Sequence, residues 1–328
     1  MRQPKELMRS NRTQELPATP QSRKGPLARL PASIVERGSA TGMRSAGALS
    51  GFRLSRVEPQ CALVVPFVNP RGIPVADVEA DELRLLSFNI QVGISTGRYR
   101  HYLTRGWKHL LPHEARADNL RSIGDLIADY DVVALQEVDA GSLRSGFVNQ
   151  VEYLAYRGNF PYWYAQLNRD LGPIAQHGNG LLSRVQPSVL EDHKLPGTFA
   201  GRGAILMRLR FGGAEVVIVL LHLSLGERSR HQQLSYVRSL IEDEPNVVVM
   251  GDMNSHLRGL LRDSPLADTA LLPADDVKPT YPSWRPALTL DHVLVTPSLE
   301  IRSCRVLDCH LSDHRPVAVR IALQRARQ

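Results

Sequence analysis

Short apolar runs, each breaking off at a polar cluster, set in at about Arg84 and recur to the end of the chain. They are Leu83 to Asn89, Asp131 to Glu137, Gly180 to Arg184, Ala204 to Leu209, Glu215 to His222, Asn246 to Asp252, Leu290 to Thr296 and Val317 to Leu323. Near-continuous Val, Ile and Leu over so few residues predicts strands, Asn246 to Asp252 a buried one. Helical spacing occurs at Arg116 to Tyr130, where Leu120, Ile123, Leu126 and Ile127 share a face. Val148 to Tyr156 and Gln232 to Ile241, the latter stopped by Pro245, are two further helices. The elements alternate irregularly, with hairpin-like strand pairs between them. That order predicts α/β or α+β layers rather than a simple doubly wound sheet, and no short repeat is present.

Residues 1–58 lack this texture. They are rich in Arg, Ser, Pro and Gly without a sustained period and are read as a disordered segment. Residues 59–83 form a lead-in, and 84–325 the folded domain. The net charge of +7 sharpens the division, because residues 1–58 hold eleven Lys or Arg against four Asp or Glu, and the rest of the chain is balanced. The domain therefore lacks the global positive field that steers long polyanions. A basic arm that touches an acidic surface, an organellar targeting segment, or dispensable chain upstream of a start at Met43 are the readings open for the segment. A content of 43% hydrophobic and 22% charged residues is that of an ordinary globular protein. The apolar stretch Cys61 to Val68 is broken by Pro66 and falls far short of the roughly 20 residues of a membrane helix. Three cysteines (Cys61, Cys304 and Cys309) without ligand spacing argue against a disulfide framework or a zinc site. A cytoplasmic monomer is expected.

The chemistry concentrates where apolar runs end. In Met250-Gly-Asp-Met-Asn254 a buried strand delivers Asp252 and Asn254, which share a face while strand geometry persists. A carboxylate there can deprotonate a water, and an amide can donate to a phosphate oxygen. The same residues also suit a plain turn. Leu135-Gln-Glu137 ends in a carboxylate of the kind that binds a hard divalent cation. Leu290-Asp-His-Val293 and Leu311-Ser-Asp-His-Arg-Pro316 place Asp291 where it can hold the imidazole of His314, leaving Asp313 for a metal. Asn89 and His222 end two more apolar runs.

Taken in order, Phe88-Asn89, Gln136-Glu137, Asn179-Gly-Leu-Leu-Ser-Arg184, His222-Leu223, Gly251-Asp-Met-Asn254, Leu290-Asp-His292 and Ser312-Asp-His314 resemble the endonuclease/exonuclease/phosphatase superfamily. The resemblance covers roughly Arg84 to Leu323. It implies a four-layer α-β-β-α sandwich, two packed mixed sheets flanked by helices, and dependence on Mg²⁺ or Mn²⁺. It also implies roles. Glu137 would bind the metal with Asn89 close by and Asp313 near it. Asp252 would position the attacking water, and Asn254 would contact the phosphate. Asp291 would orient His314 on the scissile phosphate, and His222 would act as an acid or a phosphate ligand. His292 stands where many relatives carry an aromatic residue and is expected to be a structural exchange. Asn179, and Arg202 in Gly-Arg-Gly, are the expected substrate contacts. No matched catalytic position is replaced, which argues against a non-catalytic binding module.

Two aromatic stretches bear on the substrate. Arg98-Tyr-Arg-His-Tyr102 with Arg105-Gly-Trp-Lys-His109 alternates basic and aromatic groups that suit a nucleic acid, a phospholipid or a sugar phosphate, or a packed loop. Phe160-Pro-Tyr-Trp-Tyr164 is better explained as strand core. The expected substrate is a phosphoester, a phosphodiester foremost, of a nucleic acid or of a lipid or sugar phosphate.

Overall fold

The computed structural model describes residues 63–64, 81–93, 114–170, 172–174, 176–198, 201–274 and 278–324. The basic segment 1–58, the Arg98 to His109 stretch and most of the 59–83 lead-in, Cys61 included, lie outside the described residues. In chain order the described elements are β1 (Leu63–Val64), β2 (Leu83–Asn89), α1 (Glu114–Ile127), β3 (Val132–Asp139), α2 (Gln150–Arg157), β4 (Tyr162–Asp170), β5 (Gln176–Ser183), β6 (Pro187–Lys194), β7 (Gly203–Phe211), β8 (Ala214–His222), α3 (Glu227–Ile241), β9 (Val247–Asp252), α4 (Leu257–Leu261), β10 (Leu272–Pro273), β11 (Asp291–Val295), β12 (Leu299–Val306) and β13 (Val317–Leu323).

The strands form two mixed sheets, ordered β1-β6-β7-β8-β9-β11-β10 and β12-β13-β2-β3-β5-β4. Each has one parallel pair near its centre, β8 with β9 and β2 with β3, and antiparallel neighbours elsewhere. Strand alternation divides the apolar residues into three cores. Leu83, Leu85, Val132, Ala134, Leu181, Ile218, Leu220, Val248, Met250 and Val293 fill the space between the sheets. Their neighbours Leu86, Phe88, Val133, Leu135 and Leu182 face outward, onto Leu120, Ile123 and Ile127 of α1 and Val151 and Leu154 of α2. On the other sheet Val217, Val219, Leu221, Val247 and Val249 face Leu234, Val237 and Ile241 of α3. The four-layer sandwich follows, because each central strand has an apolar partner on both faces and carries no polar face of its own.

The expected strands are present, with differences that have physical causes. Helix α3 begins at Glu227, five residues before the apolar period starts, because its first turn is a polar exposed rim. Strand β6 escapes the apolar pattern because it carries Glu191, Asp192 and His193. Hydrogen bonds from Tyr164 Oη to Asp192 (2.7 Å) and between His193 and Tyr236 (3.0 Å) make these polar groups tolerable inside. Strand β12 is missed because only Leu299 on it is fully covered. Among the described residues no helix is long and apolar enough to cross a membrane.

Gly251 sets the approach of β8 and β9. Its φ is +147°, and a Cβ there would lie 1.9 Å from the Leu221 carbonyl oxygen. Gly251→Ala is expected to cost more than about 3 kcal/mol, since backbone and not a flexible side chain must yield. The urea unfolding midpoint measures this, and a midpoint unchanged from the wild type would contradict it.

Candidate active site

Strand register assembles the site. In one sheet Asn89 pairs with Gln136, Gln136 with Asn179, and Asn179 with Gln166, a polar row across four strands. In the other, His222 pairs with Asp252 and Asp252 with Asp291. Each of these residues continues the alternation of the inter-sheet core. Leu85 leads to Asn89, Ala134 to Gln136, Leu181 to Asn179, Leu220 to His222, Met250 to Asp252 and Val293 to Asp291. The two rows face each other, so the site is the polar end of the inter-sheet core.

Direct bonds cross between the rows. Asn89 Nδ2 donates to Asp252 Oδ2 at 3.1 Å and to Glu137 Oε1 at 3.2 Å, while its Oδ1 accepts from the Gln91 backbone N–H. Asn179 Nδ2 donates to Gln166 Oε1 and to the Gly203 carbonyl of the opposite sheet. Asp252 is the focus: His222 Nε2 lies 3.5 Å and His314 Nε2 3.8 Å from its Oδ2, too long for strong hydrogen bonds. Burial, with the Asp291 charge beside it, pushes Asp252 up to about 7 against the pull of His314 and Asn89. A carboxylate there is poised to accept a proton near neutral pH.

His314 is the cationic member. Its Nδ1–H donates to Asp291 Oδ2 at 2.8 Å, and Thr280 Oγ1 donates to the same oxygen at 2.6 Å. Burial opposes the imidazolium, but the Asp291 and Asp252 carboxylates and the Asp291 hydrogen bond outweigh it, and His314 stands well above its ordinary value. His222 is the opposite case. Burial, then the positive charges of Arg202, His314 and His177, hold it well below its ordinary value. In the free protein His222 is therefore a neutral hydrogen-bonding group, and the proton-bearing imidazole is His314.

The loop carrying Asp313 and His314 is pinned from two sides. Ser283 N–H donates to the Asp313 carbonyl, Ser283 Oγ to the Ser312 carbonyl, and Asn119 of α1 to the Leu311 carbonyl. The Tyr281 ring lies 4.9 Å from that of His314. Burial raises the Asp313 carboxyl to about 6, and the nearby Glu137 charge adds to the rise. Glu137 reaches the site through a β-bulge: the β3–β5 register shifts between Gln136 and Val138, and Glu137 has φ +54°. Two carboxylates whose charges repel are a donor set for a hard divalent cation. Asp252, Asp291 and His314 also have ligand atoms within 4.8 Å of one another and form a cluster that could hold a metal. There the imidazole already donates to Asp291, so Glu137 with Asp313 is the better fit for a cation that prefers oxygen.

Asn254 does not share the Asp252 face. The strand ends at Asp252, and Asn254 has φ +47°. Its side-chain amide donates to the Leu223 carbonyl at 2.9 Å, and its backbone N–H to Asp252 Oδ1 at 3.0 Å. Arg202 faces the cluster closely enough to interact with Glu137 and Asp252. His292, fully buried, donates from Nε2 to the Ser255 carbonyl at 2.8 Å and so anchors the loop after Asp252, a structural role. Thr280 and Tyr281 are the participants the sequence reading missed. Both precede the Asp291 strand in an irregular segment without periodicity, and only the Pro282 turn marks them.

The two histidines give a sign to test. A group whose folded pKa is raised stabilises the fold fully below its unfolded value, and that contribution is lost as pH rises through the folded value. His314 should therefore be doubly protonated at pH 7, with neutral His222 beside it, and Asp291→Asn should return His314 toward ordinary titration. Imidazole nitrogen NMR reads this directly. A wild-type His314 that is neutral at pH 7 would remove the charged dyad.

Residues 86–314 match the Endonuclease/Exonuclease/phosphatase family. No curated protein matches the chain. Among solved structures, an endonuclease/exonuclease/phosphatase from Beutenbergia cavernae is 20% identical with a TM-score of 0.59, covering 74% of this chain and 72% of that one. TDP2 from D. rerio, complexed with a single-strand DNA product, is 18% identical with a TM-score of 0.55, covering 74% and 99%. A mannosyl-6-phosphatase from Bacteroides thetaiotaomicron is 16% identical with a TM-score of 0.55, covering 74% and 100%. The fold is that of these structures, and with more than half its length matched by the family, the chain belongs to the endonuclease/exonuclease/phosphatase family.

Proposed function

We propose that the protein hydrolyses phosphoesters, phosphodiesters foremost, by attack of an oriented water on phosphorus with help from a divalent cation. The observation that carries this reading is the facing pair of polar rows, in which a proton-accepting Asp252 lies within 3.8 Å of a proton-bearing His314. The nucleic-acid complex of TDP2 and the phosphatase from Bacteroides support the phosphoester class and leave both nucleic acid and sugar or lipid phosphate as substrates.

Asp252, held by Asn89 and the Asn254 backbone N–H, takes a proton from the attacking water. The water oxygen bonds to phosphorus, and the bond to the leaving oxygen breaks with its electron pair, which solvent then protonates. His314 donates through Nε2–H to a phosphoryl oxygen and balances the charge that develops there. Asp291 and Thr280 keep that imidazole charged and aimed. His222 and Arg202 complete the ring of donors around the phosphoryl group. Mg²⁺ or Mn²⁺, held by Glu137 and Asp313, would supply further positive charge to the phosphoryl oxygens.

Hydrolysis of bis-p-nitrophenyl phosphate should require Mg²⁺ or Mn²⁺ and stop with EDTA. Asp252→Asn should lower kcat by about 10³-fold, and His314→Ala by about 10²-fold or more, while the fold is kept. The rate should rise with pH up to about 7, as Asp252 loses its proton, and a bound cation should move that limb lower. An Asp252→Asn variant with wild-type turnover, or activity indifferent to EDTA, would sink the reading.

A further inference from the structure

Beside Glu137 and His222 a cavity of ≈ 710 Å³ opens between the ends of β4, β5 and β8 and the start of α3. This is the size of a small-ligand pocket rather than of a long groove. Arg169, Arg202 and Arg228 all line it. Elsewhere the described arginines mostly meet carboxylates, as Arg84 does with Asp131, Arg208 with Glu244 and Arg315 with Asp308. None of the three cavity arginines has a side-chain hydrogen bond or ion pair to a carboxylate among the described residues. Arg169 is close enough to act on Arg202: burial holds the Arg202 guanidinium below its ordinary value, Glu137 and Asp252 oppose this, and Arg169 adds to it. Arg169 and Arg228, without a carboxylate partner among the described residues, leave positive charge on this cavity that an anion can join.

Two further features specify the occupant. Asn179 is fully buried in the lining, and with Nδ2 donating to Gln166 and to the Gly203 carbonyl its amide orientation is fixed. Its Oδ1 is left without a hydrogen-bond partner among the described residues, an acceptor that suits a hydroxyl or N–H donor. At the rim Gly226 precedes α3 and has no side chain to cap its first-turn N–H groups, so the positive end of this 15-residue helix lacks a side-chain cap. Glu227 in that first turn also lines the cavity, so the lining sets three arginines against the carboxylates of Glu137 and Glu227.

We propose that this cavity is a subsite for a second phosphate of the substrate, held by Arg169 and Arg228, with Asn179 accepting from the hydroxylated unit that joins the two phosphates. The proposal rests on the phosphoesterase reading, which places the first phosphate between Asp252 and His314. The substrate class is then a compact phosphoester carrying a second phosphate, drawn either from a nucleotide or from a phosphorylated polyol headgroup.

Equilibrium binding tests the subsite apart from turnover. With Mg²⁺ present, calorimetry would compare thymidine 3′,5′-bisphosphate with thymidine 5′-monophosphate, and inositol 1,4-bisphosphate with inositol 1-phosphate. The bisphosphate of at least one pair should bind about tenfold tighter or more, and the pair that discriminates identifies the source. Arg169 and Arg228 are both exposed, so Arg169→Ala/Arg228→Ala should keep the wild-type melting temperature while the ratio falls to within about twofold. Equal binding within both wild-type pairs, or a preference that survives the double substitution, overturns the subsite. Absence of hydrolysis with the preference intact overturns the phosphoesterase reading and leaves the subsite standing.

Discussion

Two sheets press their inner faces together, and everything at the site depends on how that contact ends. Over most of its area the contact is Leu, Val, Ile and Met, interdigitated so that each central strand is sealed on both sides. At one end, one step along six strands, the inward-facing residues become Asn89, Gln136, Asn179, His222, Asp252 and Asp291. Because the sheets are already held at a fixed spacing by the apolar part, the polar groups inherit it. They face one another closely enough for Asn89 to bridge to Asp252. The chemistry is set by a low-dielectric wall behind the site, which is why one carboxyl is driven up to about 7 while a neighbouring imidazole is kept charged.

The charges are arranged so that each costly burial is offset by another. His314 is stable as a cation because Asp291 lies 2.8 Å away, and Asp291 is oriented because Thr280 and His314 share its oxygen. His222, paired with Asp252 across the strands, is kept neutral first by burial and then by the positive charges around it. A site with one strong proton acceptor, one fixed cation and one neutral imidazole suits attack of water on phosphorus. Protonation states are assigned by position rather than by residue type.

Backbone irregularities sit where the regular lattice cannot aim a side chain. The bulge at Glu137 turns a strand carboxylate toward Asn89 and Asp313, and the left-handed Asn254 folds the chain back so that its N–H steadies Asp252. Gly251 lets the two central strands of that sheet approach just before Asp252. Each departure is local, lies next to the site, and is held by the surrounding packing.

The amino-acid sequence by itself determined the layers and the candidate residues. That Asp252 and Asp291 end apolar runs was legible from Met250-Gly-Asp and Leu290-Asp-His alone, a pattern that suits a plain turn as well as a site. So were the α1 face through Leu120, Ile123 and Ile127 and the central strands, since period and composition are local properties. Tertiary structure decided what depends on register and on distant partners. Alternation predicts Asn254 beside Asp252 only while the strand lasts, and it stops at Asp252. Strand β6 hid behind Asp192 and His193, whose burial is explained only by Tyr164 and Tyr236 across the fold. Thr280 gains meaning from Asp291, eleven residues on, and Arg169 and Arg228 from a shared cavity. These pairings follow from how the sheets stack, and no local pattern encodes a contact between residues that folding alone makes neighbours.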